Sequence, residues 1–176
     1  MIPKTDRTPR PPEDGEALPI FRSTKNTRPV LRDSLQYIRS DVPTEVSESE
    51  KEWLLAHGIR AVIDLRTEKE RQNKPCPLAD DARFSYTAVP LAGGDAVPQS
   101  PADVPSSYIG MVDEIFEELI EFLLTARTGV LYFCNAGKDR TGVVSAALLH
   151  RLGRPLSYIV GDYMLSKTNL ETVLAD

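Results

Sequence analysis

The residues whose types and spacing could do chemistry lie in one run, Cys134-Asn135-Ala136-Gly137-Lys138-Asp139-Arg140-Thr141-Gly142. A thiol attacks as its thiolate, a form favoured at a helix N-terminus and beside a guanidinium. A guanidinium also takes two oxygens of one phosphate at once. The six-residue step from Cys134 to Arg140 lets one tight loop aim sulfur and guanidinium at the same anion. Gly137 frees the backbone for the conformations such a loop needs. The N–H groups of Asn135, Ala136, Gly137 and Lys138 would then line an anion cradle at a helix start. Thr141 would bring a hydroxyl towards the thiolate. Lys138 fits equally a charge over a phosphate-rich group and a solvated loop lysine. A nucleotide-binding loop of the Gly-x4-Gly-Lys-Ser/Thr kind is excluded, because Tyr132 and Asp139 stand where it needs Gly and Ser or Thr.

Such a loop works only if a strand delivers it and a helix leaves it. Val130 to Phe133 is a short apolar strand, and Thr141 to Leu152 reads as a helix closed by Gly153 and Pro155. Upstream, Leu35 to Ile38 and Phe84 to Leu91 are strand-like, and Ile59 to Leu65 has a buried-strand composition. Ser47 and Glu50 form a capping box, predicting a helix through Trp53 that ends at Gly58. Apolar residues at Tyr108, Val112, Ile115, Leu119 and Phe122 predict one helix from Tyr108 to about Ala126. A last helix is expected from about Ser157 towards Leu174. Ala92 to Ser107 reads as a Gly/Pro/Ser-rich loop. Strands alternating with helices predict an α/β fold with a largely parallel central sheet flanked by helices. The reactive loop would lie at the carboxyl end of a strand, where such sheets bind ligands. Residues 1–18, rich in proline and charge, predict an extended or disordered arm, with 19–176 as a single domain.

The Cys-x5-Arg-Thr-Gly run after a strand resembles the signature of the protein tyrosine phosphatases. The longer Ala136-Gly137-Lys138-Asp139-Arg140-Thr141-Gly142 resembles their bacterial and fungal tyrosine/phosphoinositide branch. Gly58 to Arg66, followed by Glu70, looks like that branch's Ile-Asp-Leu-Arg segment. Asp162-Tyr163-Met164-Leu165-Ser166 looks like its Asp-Tyr-Leu-Leu-Ser helix. The resemblance, from about Leu35 to Leu170, implies a cysteine-phosphatase fold and hydrolysis through a phosphocysteine at Cys134. It implies catalytic roles for Cys134, Arg140 and Thr141, and for Asp139 as the acid inside the loop. Asp95 and Asp103 are rival acids on the Gly/Pro-rich loop. Asp64 and Arg66, at a strand's carboxyl end, either frame the pocket or form a structural pair. The family carries histidine before its nucleophile, where this chain has Phe133. In the family that histidine helps fix the loop and acidify the thiol, so the resemblance implies that Cys134 ionises at a higher pH here and that turnover is slower or best at higher pH.

Composition narrows the partners. A net charge of −5 argues against bulk nucleic-acid binding, which needs a basic surface. No apolar stretch is long enough to cross a bilayer. With two cysteines, Cys76 and Cys134, there is no disulfide framework, which points to a reducing, cytoplasmic setting, though a secreted form stripped of its signal would read the same. Cys76, between two prolines, reads as a loop cysteine. His57 and His150 lie apart, so no metal or other cofactor is expected. The expected substrates are phosphorylated proteins or phosphoinositides and inositol phosphates. The competing readings are a phosphate-binding module weakened in turnover, and a sulfur transferase.

Overall fold

The computed structural model describes residues 21–91 and 104–171. The proline-rich arm, the 92–103 stretch with Asp95 and Asp103, and the last residues before Asp176 lie outside them. Among the described residues five strands form one sheet in the order β1-β2-β5-β3-β4: β1 Arg28–Leu31, β2 Ser34–Asp41, β3 Ile59–Asp64, β4 Ser85–Ala88 and β5 Gly129–Cys134. Only β1 runs antiparallel, paired with β2; the other pairings are parallel. The expected α/β class and largely parallel sheet are therefore observed. Strand β1 was not legible, because Pro29 breaks the strand pattern, and an edge position tolerates that proline.

Among the described residues six α-helices flank the sheet: α1 Glu48–Ala56, α2 Glu68–Asn73, α3 Val104–Ile109, α4 Glu114–Thr125, α5 Asp139–Arg151 and α6 Leu156–Asn169. The capping box at Ser47 and Glu50 forms as expected, and a second one at Thr67 and Glu70 starts α2. The single helix expected from Tyr108 to Ala126 is two. Asp113 breaks it by accepting the N–H of Phe116 at 2.9 Å, which starts α4 afresh. Helix α3 begins at Val104, inside the stretch read as loop. Among the described residues no helix is long and apolar enough to cross a membrane.

The central strand β5 sends alternate side chains to opposite faces of the sheet. Val130, Tyr132 and Cys134 pack with Phe116, Leu119, Ile120 and Leu123 of α4 and with Val144, Leu148 and Leu149 of α5. Leu131 and Phe133 pack on the other face with Leu54, Leu78 and Phe84. Cys76 lies in a loop, as expected, but is buried in that second cluster, and burial pushes its thiol up to about 11. Phe133 therefore points away from the face that carries the Cys134 thiol. Its ring lies 5.5 Å from the Arg66 guanidinium carbon.

Candidate active site

Cys134 ends β5 and Asp139 begins α5, so residues 135–138 make the turn between them. Both flanks of β5 hold the turn: Asp41 of β2 is in register with Cys134, and Asp64 of β3 with Phe133. Three successive carbonyls of the turn are bonded into the protein. Asn135 O accepts from Val42 N at 3.2 Å. Ala136 O accepts from Asn26 Nδ2 at 3.2 Å. Gly137 O accepts from Asn26 Nδ2 at 2.9 Å and from Arg39 Nη2 at 2.8 Å. Among the described residues no peptide is cis, and in a trans peptide the N–H points opposite to the carbonyl. The N–H groups of Ala136, Gly137 and Lys138 therefore turn to the other side, forming an anion nest at the N-terminus of α5. Gly137 makes this possible. Its φ is +63°, and a Cβ there would lie 2.5 Å from Ser40 O and 2.6 Å from Asp41 N.

Arg140, in the first turn of α5, lies flat against Glu70: Nη1 donates to Oε2 at 2.8 Å and Nη2 to Oε1 at 2.6 Å. Asn135 Nδ2 donates to the same Oε1 at 2.5 Å. Glu70 is itself held by Thr67, whose N–H donates to Oε2 at 2.8 Å and whose hydroxyl does so at 2.9 Å. The hydrogen bond from Arg140 holds the Glu70 carboxyl down at about 2, so the pair is ionic throughout the ordinary pH range. One carboxylate thus fixes the plane of the guanidinium, the Asn135 side chain and the start of α2. Glu70 appeared in the sequence only as part of a resembling segment. The Thr67-x-x-Glu70 spacing was the local signal, but its reach to Arg140 spans 70 residues.

Asp139 Oδ1 accepts from the Tyr108 hydroxyl at 2.6 Å, and Tyr108 shares a 2.6 Å contact with the Tyr163 hydroxyl. Lys138 Nζ lies 3.5 Å from Asp139 Oδ1, and both side chains are part-exposed. Burial and the Asp139 contact raise the Tyr108 hydroxyl well above its usual range, so it stays a donor. Thr141 Oγ1 is buried without a hydrogen-bond partner, so the bond to Cys134 expected from the sequence is not formed in this state.

Asp64 and Arg66 are both fully buried. Arg66 Nε and Nη2 donate to the two Asp64 oxygens at 2.9 and 2.7 Å, and Nη1 donates to Lys74 O at 2.7 Å. Tyr86 adds its hydroxyl to Asp64 at 2.6 Å. Every oxygen and nitrogen of the pair is committed inside the protein. Of the two arrangements the sequence allowed, the ion pair is the one observed.

A family model described as the tyrosine phosphatase family matches residues 23–176. A tyrosine-protein phosphatase of Nostoc commune is 30% identical over 145 residues, covering 77% of this chain and 49% of that protein. The chain spans about half the length of the curated relatives it matches. A crystal structure of P. aeruginosa TpbA in complex with pTyr superposes with a TM-score of 0.51 at 16% identity, covering 96% of this chain and 89% of that one. The Siw14 catalytic core does so with 0.53 at 17%, covering 89% and 86%. At these identities the likeness to the two structures is one of fold. The family match runs through the whole loop and both helices behind it, and on that basis this chain belongs to the tyrosine phosphatase family.

Proposed function

We propose that residues 19–176 form one phosphatase domain that hydrolyses phosphate monoesters through a phosphocysteine on Cys134. Phosphotyrosine in proteins is the leading substrate, in line with the name of the Nostoc relative and the pTyr bound to TpbA. Phosphoinositides and inositol phosphates are the alternatives. One observation carries the reading: three N–H groups turn to one side of a loop whose ends supply a thiol and a fixed guanidinium. The nest and Arg140 would hold the phosphoryl oxygens while the Cys134 thiolate attacks phosphorus. An S–P bond forms, the P–O ester bond breaks, and the leaving oxygen takes the proton of Asp139. Water then attacks phosphorus, giving its proton to Asp139, and the S–P bond breaks to release inorganic phosphate and restore the thiolate. A working thiol needs a reducing compartment, so the cytoplasm is the proposed location.

Incubation with an aryl phosphate tests this. The wild-type chain is expected to release phosphate, and Cys134→Ser to bind the ester without turnover. Equal turnover by Cys134→Ser would defeat the phosphocysteine route. Binding without turnover by the wild-type chain would leave a phosphate-binding module instead.

A further inference from the structure

Behind the loop lies a polar cluster that the reaction itself does not use. Arg28 and Arg39, on the neighbouring strands β1 and β2, are both buried, and both reach Asp162 of α6. Arg28 Nε donates to Asp162 Oδ1 at 3.0 Å, Arg28 Nη2 to Asp162 O at 2.8 Å, and Arg39 Nη1 to Asp162 Oδ2. Ser166, one turn along α6, accepts from Arg28 at 3.1 Å, from Arg39 at 3.3 Å and from Asn26 at 3.2 Å. Asn26 is the most committed of these side chains. Its Nδ2 holds the carbonyls of Ala136 and Gly137, while its Oδ1 accepts from Arg28 and from Asn169. Every contact from this cluster to the loop falls on a carbonyl, and those carbonyls are the ones whose inward turn aims the N–H groups outward.

We infer that Asn26, supported by Arg28, Arg39, Asp162 and Ser166, is the positioning residue that keeps the phosphate-binding loop turned for anions. Helix α6 acts on the site through it. The inference rests on the loop being a phosphate site. Without the two Asn26 bonds the peptide plane at 136–137 is released to rotate and the one at 137–138 is left on Arg39 alone, and each rotation exchanges an N–H facing the anion for a carbonyl that repels it. The Asp162-Tyr163-x-x-Ser166 spacing gains a reason. Asp162 and Ser166 are four residues apart, on one helix face, and both grip the arginines that back the loop.

Holding the loop can be separated from holding the fold. The cluster sets two buried arginines against one carboxylate, and Arg39 Nε is buried with no acceptor. Burial first, and Arg39 next, lower Arg28 to about 10. Asn26→Asp has the same shape, keeps an oxygen for Arg28 and adds the missing negative charge, so the cluster gains an ion pair. It also replaces the donor that faces Ala136 O and Gly137 O with an acceptor. The full chain is compared in both forms by thermal melting, by calorimetric titration with inorganic phosphate, and by aryl phosphate turnover. Asn26→Asp is expected to melt within a few degrees of wild type, yet to lose phosphate affinity by about tenfold or more, with kcat/KM falling in step. Asn26→Ser, whose short hydroxyl cannot span to the loop, gives the same reading without a new charge if the first variant does not fold. A wild-type chain that binds phosphate, with a folded Asn26 variant binding it equally well, overturns this inference alone. A wild-type chain that neither binds phosphate nor cleaves the ester overturns the loop reading beneath it.

Discussion

Two arginine–carboxylate pairs lie at the carboxyl ends of neighbouring strands, and they are built differently. Arg66–Asp64 is closed: neither side chain is exposed, and tyrosine and backbone partners take up what the pair leaves over. Arg140–Glu70 lies at the mouth, with 6% and 18% of the two side chains exposed, and its carboxylate is shared among an arginine, an asparagine and a helix cap. The closed pair spends its hydrogen bonds on itself. The open one fixes a guanidinium where a phosphate would arrive. Burial and partner count, not residue type, separate a structural ion pair from a preorganised anion site.

The largest expected effect sets the two arginines against each other. Arg140→Lys should lower kcat/KM on an aryl phosphate by at least about a hundredfold with little change in melting temperature, since an ammonium cannot reproduce the planar two-point grip. Arg66→Met should do the reverse. It strands the buried Asp64 carboxylate, at a cost of about 3–5 kcal/mol, while leaving turnover per folded molecule near wild type. Equal losses of turnover in the two would erase the distinction.

A smaller effect is expected at Glu70. Glu70→Gln keeps the shape of the cap but removes the charge that fixes Arg140, and kcat/KM should fall about tenfold, the size of one charge-assisted hydrogen bond. Its stability effect carries a pH signature. A carboxyl depressed from 4.5 to about 2 contributes stability above 4.5 and loses it as pH falls towards 2. The melting-temperature gap between wild type and Glu70→Gln should stay constant above about pH 5.5 and shrink across that lower window. A gap independent of pH would mean that the carboxylate charge is idle in the fold.

The smallest effect is expected at Phe133. This residue belongs to the closed pair's side of the sheet, over Arg66, not to the thiol's side. Phe133→His should therefore cost stability, since an imidazolium would face a buried guanidinium. Iodoacetamide alkylation of Cys134 across pH should be nearly unchanged. A shifted alkylation profile in a folded variant would show that residue 133 does reach the nucleophile.

Legibility followed distance along the chain. The loop could be read because its thiol, glycine and guanidinium lie within seven residues, and the strand before it and helix after it carry plain patterns. What aims the loop could not, since Asn26 meets Gly137 across 111 residues and Arg39 meets Asp162 across 123. No local pattern marks such pairs: Asn26, Arg28 and Arg39 belong to no motif that the sequence shows, and strand β1 itself was not legible. The placement of Phe133 was illegible for a related reason. Adjacency in sequence suggested adjacency in space, whereas a strand's pleat sends neighbours to opposite faces. The apolar repeat through Tyr108 to Phe122 was real, but Asp113 interrupted the helix that it implied.

That pleat also determines which edits the chain can absorb. Strand β5 is paired on both sides, to β2 and β3, over most of its length. Deleting or inserting one residue between Gly129 and Phe133 would force the chain to choose. If the pairing moved, the thiol and the phenylalanine would trade faces, putting sulfur among Leu54, Leu78 and Phe84 and an aromatic ring under the anion nest. If the pairing held, the loop would be one residue too short or too long to bring Arg140 round to Glu70. The six residues from Gly129 to Cys134 therefore have no tolerance for a change of length.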